Sequence, residues 1–141
     1  MTEQTAPEPL VLQGGTLLDP KNGVHRVSDR ALRDGKVLEV GEGLRLHFRV
    51  VDVGGLLLTP ALVDLHTHLF STLGLRDAWA GDESVSPDGF SFRTGVTTMV
   101  DAGSAGWRNF DTFRVSVIER ARTRVFAFLN IAGFGMISDM I

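Results

Sequence analysis

The sequence contains no cysteine among its 141 residues. Disulfides and thiolate metal sites are therefore excluded, and any metal must be held by histidine, a carboxylate or a modified side chain. No run of like charge is long enough to form an interaction tail, and the formal net charge is only −3. The composition thus gives no reason to expect a nucleic acid or an anionic membrane surface as a partner.

Long hydrophobic runs are also missing. The most apolar stretch, residues 53–63, is interrupted by two glycines, Thr59 and Pro60. It is well short of the roughly 20 residues needed to cross a bilayer. Residues 1–9 are polar and acidic, without the basic and apolar regions of a signal peptide, and we expect them to form a disordered lead-in. A cytoplasmic location without a membrane partner is the expectation.

Residues 10–59 combine short apolar segments with frequent turn signals. Asp34-Gly35 separates two strand-like segments, 29–33 and 36–40. Both turn residues can take positive φ, which is a strong hairpin signal. Further strands are expected around residues 10–12, 16–18 and 48–53. The pattern predicts a small all-β unit of four or five strands.

Residues 60–141 show a different rhythm, in which strands alternate with helices. Strands are expected over residues 62–66, 96–100 and 125–129. The last of these is nearly all apolar, as expected for a strand covered on both faces. Alternation of this kind predicts parallel β/α units.

Two helical segments are expected between these strands. Residues 88–93 predict one or two helical turns. Residues 109–121 predict an amphipathic helix, because apolar side chains recur at spacings of three and four, and Asn109 is the expected N-cap.

His66 and His68 stand two residues apart at the end of the first of these strands. Alternate residues of a strand face the same way, so the two imidazoles are expected to point together, with Asp64 one pleat deeper. Such a pair can chelate one divalent ion, and β/α folds place their chemistry at this end of the strands. The alternative is a solvated or hydrogen-bonded pair, which is the commoner state of an isolated His-X-His. Asp64 is expected to be a structural hydrogen-bond partner rather than a ligand.

Weaker candidates follow the second and third strands. Asp101 and Asn130 are expected to end those strands, where each could face the site or serve equally well as a cap or turn residue. The backbone N–H groups of Gly103, Ser104 and the next two residues could bind a substrate oxygen, although Gly-Ser runs are more often plain loops. Trp79 could line a pocket, but a packing role is favoured.

The segment Pro-Ala-Leu-Val-Asp-Leu-His-Thr-His, residues 60–68, resembles the first-strand signature of the amidohydrolase superfamily, with Ala61 where that family usually has glycine. The preceding β unit is similar to the N-terminal half of the small β-sandwich domain of those enzymes. Residues 87–98 and 101–107 resemble the dihydroorotase-like deacetylase branch.

The resemblance implies an α/β fold. It consists of the N-terminal part of a small β-sandwich domain over residues 10–59, followed over residues 60–141 by the first three β/α units of an incomplete TIM barrel. A complete barrel needs about 250 residues. Three parallel strands leave two edges unpaired. We therefore expect the isolated chain to be partly molten, aggregated, or completed by a partner.

The resemblance also implies a function. The complete enzyme is expected to hydrolyse an amide C–N bond of a small molecule, with metal-activated water, as a deacetylase or dihydroorotase does. His66 and His68 are the implied metal ligands, and zinc is the expected divalent metal. His25 and His47 are expected to be surface residues.

No catalytic residue is expected in this chain, because the general base and the other ligands are implied to lie beyond its end. The 141 residues alone are therefore expected to be inactive. Two alternatives stay open: a non-catalytic chain that assembles with a separate chain or with copies of itself, and an inactive remnant.

Overall fold

The computed structural model describes residues 8–44, 46–70 and 84–136. The chain divides into two compact units, and the boundary falls after Pro60. Most of the expected lead-in and the candidate Trp79 lie outside the described residues. No helix within the described ranges is long and apolar enough to span a membrane.

The first unit is all-β and forms two sheets. Its described strands are β1 (Leu10–Gln13), β2 (Thr16–Asp19), β3 (Val24–Val27), β4 (Asp29–Arg33), β5 (Lys36–Gly41), β6 (Arg49–Asp52) and β7 (Leu57–Leu58), with a short 3-10 helix at Pro20–Asn22. One sheet has the order β5-β4-β1-β6 and the other the order β3-β2-β7. The expectation of four or five strands was wrong, because β3 and β7 were not foreseen.

The predicted hairpin between β4 and β5 is confirmed. Asp34 and Gly35 both have positive φ, 51° and 71°, as a two-residue turn between antiparallel strands requires. Val11 and Ala31 are fully buried where β1 pairs with β4, and Leu17 and Val53 are also buried among the described residues of this unit.

The second unit is a three-stranded parallel sheet with helical segments. The strands are β8 (Leu62–Thr67), β9 (Val96–Asp101) and β10 (Arg124–Ala127), in the order β10-β9-β8. Helix α1 spans Pro87–Thr94 and ends at Gly95, whose φ of 73° is left-handed. Helix α2 spans Phe110–Phe113 and continues into a π-helical turn at Arg114–Ile118. The described residues therefore form a mixed α/β structure.

The buried core of this unit consists of Leu69, Met99, Ala105 and Phe113. Phe110, Val117 and Val125 pack against it, so the apolar stripe expected between residues 109 and 121 does face a core. The expectation of a single α-helix there was wrong, because only four residues are α-helical before the π-helical turn begins.

The opposite face of the sheet is largely open. Phe126 on β10 is 55% exposed, and Phe128 just beyond it is 67% exposed. The expectation that both faces of this strand are covered was therefore wrong for the described part of the chain. Met99 on β9 is buried in the core on the other face of the sheet.

Candidate functional site

The two histidines lie side by side at the carboxyl end of β8. His66 is the penultimate residue of the strand, and His68 follows its last residue. The ring centroids are 5.4 Å apart, and the ring planes are nearly perpendicular, at 85°. His66 is exposed and His68 is half-buried. The pair is thus accessible to a ligand from solution.

The distance between the rings suits a shared divalent cation. Zinc binds imidazole nitrogens at about 2.0–2.1 Å with tetrahedral angles, which places the centres of two coordinating rings roughly 5 Å apart. The observed 5.4 Å between ring centroids agrees with that arrangement. Imidazole is also a common ligand of zinc and of several other transition metals.

A complete metal cage is not formed by the described residues alone. Across residues 8–44, 46–70 and 84–136, no group of three or more His, Asp or Glu side chains could hold a metal ion. A catalytic zinc takes three protein ligands and leaves a position for water. The His66–His68 pair therefore supplies only part of a coordination shell.

Asp64 contacts the backbone rather than the imidazoles. Its Oδ1 accepts a hydrogen bond of 3.1 Å from the backbone N–H of His66. This contact fixes the backbone at the position of the first histidine and agrees with the structural role expected for Asp64.

Ser104 is the polar neighbour of His68. Its Oγ lies 3.2 Å from Nδ1 of His68, and the serine is almost completely buried. Sequence reasoning considered only the backbone of Ser104 and missed its hydroxyl. The contact arises because β8 and β9 are parallel neighbours, with Thr67 paired to Asp101, so that the segments following both strands meet.

Asp101 joins these two segments. Its Oδ1 accepts hydrogen bonds from the N–H groups of Gly103, at 3.0 Å, and Ser104, at 2.7 Å. Its Oδ2 accepts one of 2.8 Å from the N–H of Leu69. Of the two roles considered for Asp101, the structure shows the turn role, because this buried carboxylate accepts hydrogen bonds from the turn that follows β9.

Three of the N–H groups considered as substrate donors in the loop after β9 donate hydrogen bonds within the protein. Those of Gly103 and Ser104 are donated to Asp101, and that of Gly106 is donated to Oδ1 of Asn109 at 2.8 Å. Asn109 stands at the N-cap position of α2 but makes no side-chain cap, because its amide serves the loop instead.

Asn130 braces the same loop. It lies three residues beyond the end of β10 rather than at its end. Its Nδ2 donates to the carbonyl of Gly103 at 3.1 Å, and its Oδ1 accepts from the N–H of Ala132 at 2.9 Å. A role of Gly103, Ser104 or Asn130 in substrate binding stays a prediction.

The other two histidines, His25 and His47, are exposed in the first unit, as expected. His25 lies on β3, which sequence reasoning did not foresee.

No family model matches the chain. Individual relatives do match. Over 109 residues the chain is 39% identical to a deacetylase of Agrobacterium fabrum, a match that covers 74% of this chain and 25% of the relative. Over 87 residues it is 38% identical to a dihydroorotase of Geobacter sp., covering 58% of this chain and 20% of the relative. The chain thus spans about a quarter or less of these two relatives.

Solved structures give the same result. A dihydroorotase crystal structure aligns with a TM-score of 0.69 at 31% identity, covering 94% of this chain and 33% of the other. An adenine deaminase aligns with a TM-score of 0.70 over the same shares, and its 23% identity supports likeness of fold alone. By sequence and by fold, the chain belongs to the amidohydrolase superfamily and spans part of the length of its deacetylase and dihydroorotase relatives.

Proposed function

We propose that the complete protein is a metal-dependent amidohydrolase that hydrolyses an amide C–N bond of a small molecule. In this proposal His66 and His68 are two of its metal ligands, and zinc is the metal. The observation that carries the proposal is the pair of imidazoles, 5.4 Å apart at the carboxyl end of β8, in a chain related to deacetylases and dihydroorotases.

The described residues would contribute binding and orientation. His66 and His68 would hold the cation, and Asp64 fixes the backbone at His66. A divalent cation in such a site lowers the pKa of bound water and polarises the substrate carbonyl. The remaining ligands and the general base would come from residues outside the described ranges, since those ranges hold no larger ligand group.

The architecture in this proposal is the beginning of a barrel. Strands β8 to β10 would be its first three strands, and the preceding residues 10–59 would be part of a small β-sandwich domain. The open face of the sheet, with Phe126 and Phe128 more than half exposed, supports further strands packing there. Those strands would come from the same protein or from a complementing chain.

Chelation and mutation of the complete protein test the proposed function. We expect hydrolysis of N-acetyl amino acids or cyclic amides that a chelator abolishes and added zinc restores. His66→Ala should lower kcat/KM by at least about 100-fold, since losing a metal ligand removes the activation of water. The matched control is His25→Ala, which removes an exposed histidine of the first unit and should leave activity unchanged. Hydrolysis that survives both chelation and His66→Ala would overturn the proposal.

A further inference from the structure

The hydroxyl of Ser104 is placed where it can set the orientation of one imidazole of the candidate site. We infer that Ser104, held by Asp101, is a positioning residue that keeps His68 turned so that Nε2 faces the cation. This inference rests on the proposed function, because it takes His68 as a metal ligand and assigns the ring nitrogen through which it binds.

The contact between Ser104 and His68 assigns the two ring nitrogens different tasks. Ser104 Oγ lies 3.2 Å from Nδ1. That nitrogen is therefore occupied from within the protein, and Nε2 is the nitrogen left for an external ligand. With a cation on Nε2, Nδ1 would carry the ring proton and donate a hydrogen bond to Ser104 Oγ. A partner of this kind fixes both the tautomer and the ring plane of a ligating histidine.

Asp101 holds the backbone of Ser104 in place through hydrogen bonds that are buried away from solvent. Its carboxylate is fully buried and accepts three backbone hydrogen bonds, of which two come from the Ser104 turn and one from Leu69, the residue after His68. Hydrogen bonds to a carboxylate are stronger than neutral ones. One side chain thus ties the backbone next to His68 to the backbone that carries its partner.

The turn that carries Ser104 is also braced from the far side. Asn130 donates from Nδ2 to the carbonyl of Gly103, and the N–H of Met136 donates to the same oxygen at 3.2 Å. The N–H of Asn130 donates to the carbonyl of Ala105 at 3.0 Å. A partner held at this many points loses little entropy on engaging its histidine, which is what a preorganised site needs.

The alternative explanation is that the contact only satisfies the hydrogen-bonding capacity of a buried serine and has no effect on metal binding. Ser91 offers the comparison within the same unit. It is as buried as Ser104, and its Oγ pairs with Oγ1 of Thr123 at 2.6 Å, away from both histidines. Ser91→Ala therefore removes a buried serine hydroxyl and its hydrogen bond without touching His68.

Zinc affinity of the complete protein, measured by competition with a chromophoric chelator, separates the two explanations. We expect Ser104→Ala to weaken zinc binding by roughly 10- to 100-fold, the usual effect of removing the partner of a ligating histidine. Ser91→Ala should leave the affinity near that of the unmutated protein. Equal affinity in Ser104→Ala and the unmutated protein, or equal losses in the two serine variants, would overturn the inference.

His66→Ala distinguishes failure of this inference from failure of the proposed function. If the unmutated protein and His66→Ala bind zinc equally, or neither binds it, the proposed function falls and the positioning role falls with it. If His66→Ala loses zinc while Ser104→Ala does not, only the positioning role is wrong.

A spectroscopic measurement covers the case in which Ser104→Ala does not fold. In ¹⁵N-histidine-labelled, zinc-loaded, unmutated protein, two-bond ¹H–¹⁵N correlations identify which nitrogen of His68 is protonated. We expect a protonated Nδ1 and a coordinated Nε2. Coordination through Nδ1 would overturn the inference without any mutation.

Discussion

Asp88 fixes the start of α1 to the segment before β10. Its carboxylate accepts hydrogen bonds from the N–H groups of Arg122 and Thr123 and from the Thr123 hydroxyl, at distances between 2.8 and 3.1 Å. Burial alone would raise the pKa of Asp88, but these hydrogen bonds outweigh burial and hold its pKa below the usual value. The folded protein therefore favours the charged carboxylate.

This shift predicts the direction of a pH effect. Because the folded pKa is lowered, the stabilisation is present above the unfolded pKa of about 3.9 and is lost as the pH falls through the folded value. Asp88→Asn should lower the free energy of unfolding at neutral pH by about 1–3 kcal/mol, since the hydrogen bonds lose a charged acceptor. Chemical denaturation at several pH values measures the difference.

The gap between Asp88→Asn and the unmutated protein should close as the pH falls below about 4, where the unfolded carboxyl becomes protonated. Asp111→Asn is the control, because that side chain is 91% exposed and makes only a surface contact with Arg114. A gap that widens in acid would contradict the assignment.

The site shows at residue scale what a sequence can and cannot predict. Adjacent placement of His66 and His68 follows from the period of two along a strand, which is local information. The contact of Ser104 with His68 depends on the register of β8 against β9, which no local pattern encodes. The roles of Asp101 and Asn130 were left open for the same reason, because their partners lie in other segments.

Local signals also decided which elements could be predicted. The Asp34-Gly35 turn is encoded by two residues that tolerate positive φ, and it was predicted correctly. Strand β3 lacks an apolar face, because its last three residues are exposed and only Val24 is partly covered. Strand β7 has two residues, too few for any periodic signal. Both strands exist through pairing with β2.

The segment after Asn109 shows a limit of helical periodicity. Apolar residues at spacings of three and four predict a continuous α-helix. The structure instead changes from α2 to a π-helical turn at Arg114. Phe113 and Val117 still meet the core, so the apolar pattern is satisfied by both forms of helix.

Gly35 in the turn between β4 and β5 adopts a left-handed conformation that substitution can test. A Cβ added at Gly35 would meet no atom within 4 Å, so substitution there tests conformation alone. Gly35→Ala should lower the free energy of unfolding by about 1–2 kcal/mol, the cost of left-handed φ for an L-residue. Urea denaturation of the two proteins measures this difference.

Gly89→Ala is the matched substitution. Gly89 lies inside α1, and an added Cβ would make ordinary contacts with Ser86 at 3.5 Å or more. Alanine should therefore stabilise this helix, by up to about 1 kcal/mol. Equal effects of the two glycine substitutions would show that backbone conformation is not what Gly35 contributes.

At the scale of the whole molecule, the open sheet face is the dominant feature of the second unit. Phe126 and Phe128 are each more than half exposed. Burying such side chains is worth roughly 1.5–3 kcal/mol each. Several of them together are comparable with the whole stability of a domain, about 5–15 kcal/mol. The deacetylase and dihydroorotase relatives are about three times as long as this chain, and in the proposed barrel the additional length would supply the strands that cover this face.

The 141 residues alone are therefore expected to self-associate or to unfold without a sharp transition. Size-exclusion chromatography and thermal unfolding measure both properties. Phe128→Glu should reduce self-association, because a charge on the open face opposes burial against another chain. A monodisperse monomer of the unmutated chain, with a cooperative transition, would contradict the proposal that this sheet begins a larger barrel.

In the proposed site, His66 and His68 share one divalent cation. Anomalous X-ray scattering across the zinc absorption edge, from crystals of the complete protein grown with zinc, would locate that cation. We expect an anomalous peak about 2.0–2.1 Å from one nitrogen of each imidazole, with Nε2 as the contact on His68. Zinc peaks that lie only elsewhere, or the absence of any peak between the two rings, would contradict it.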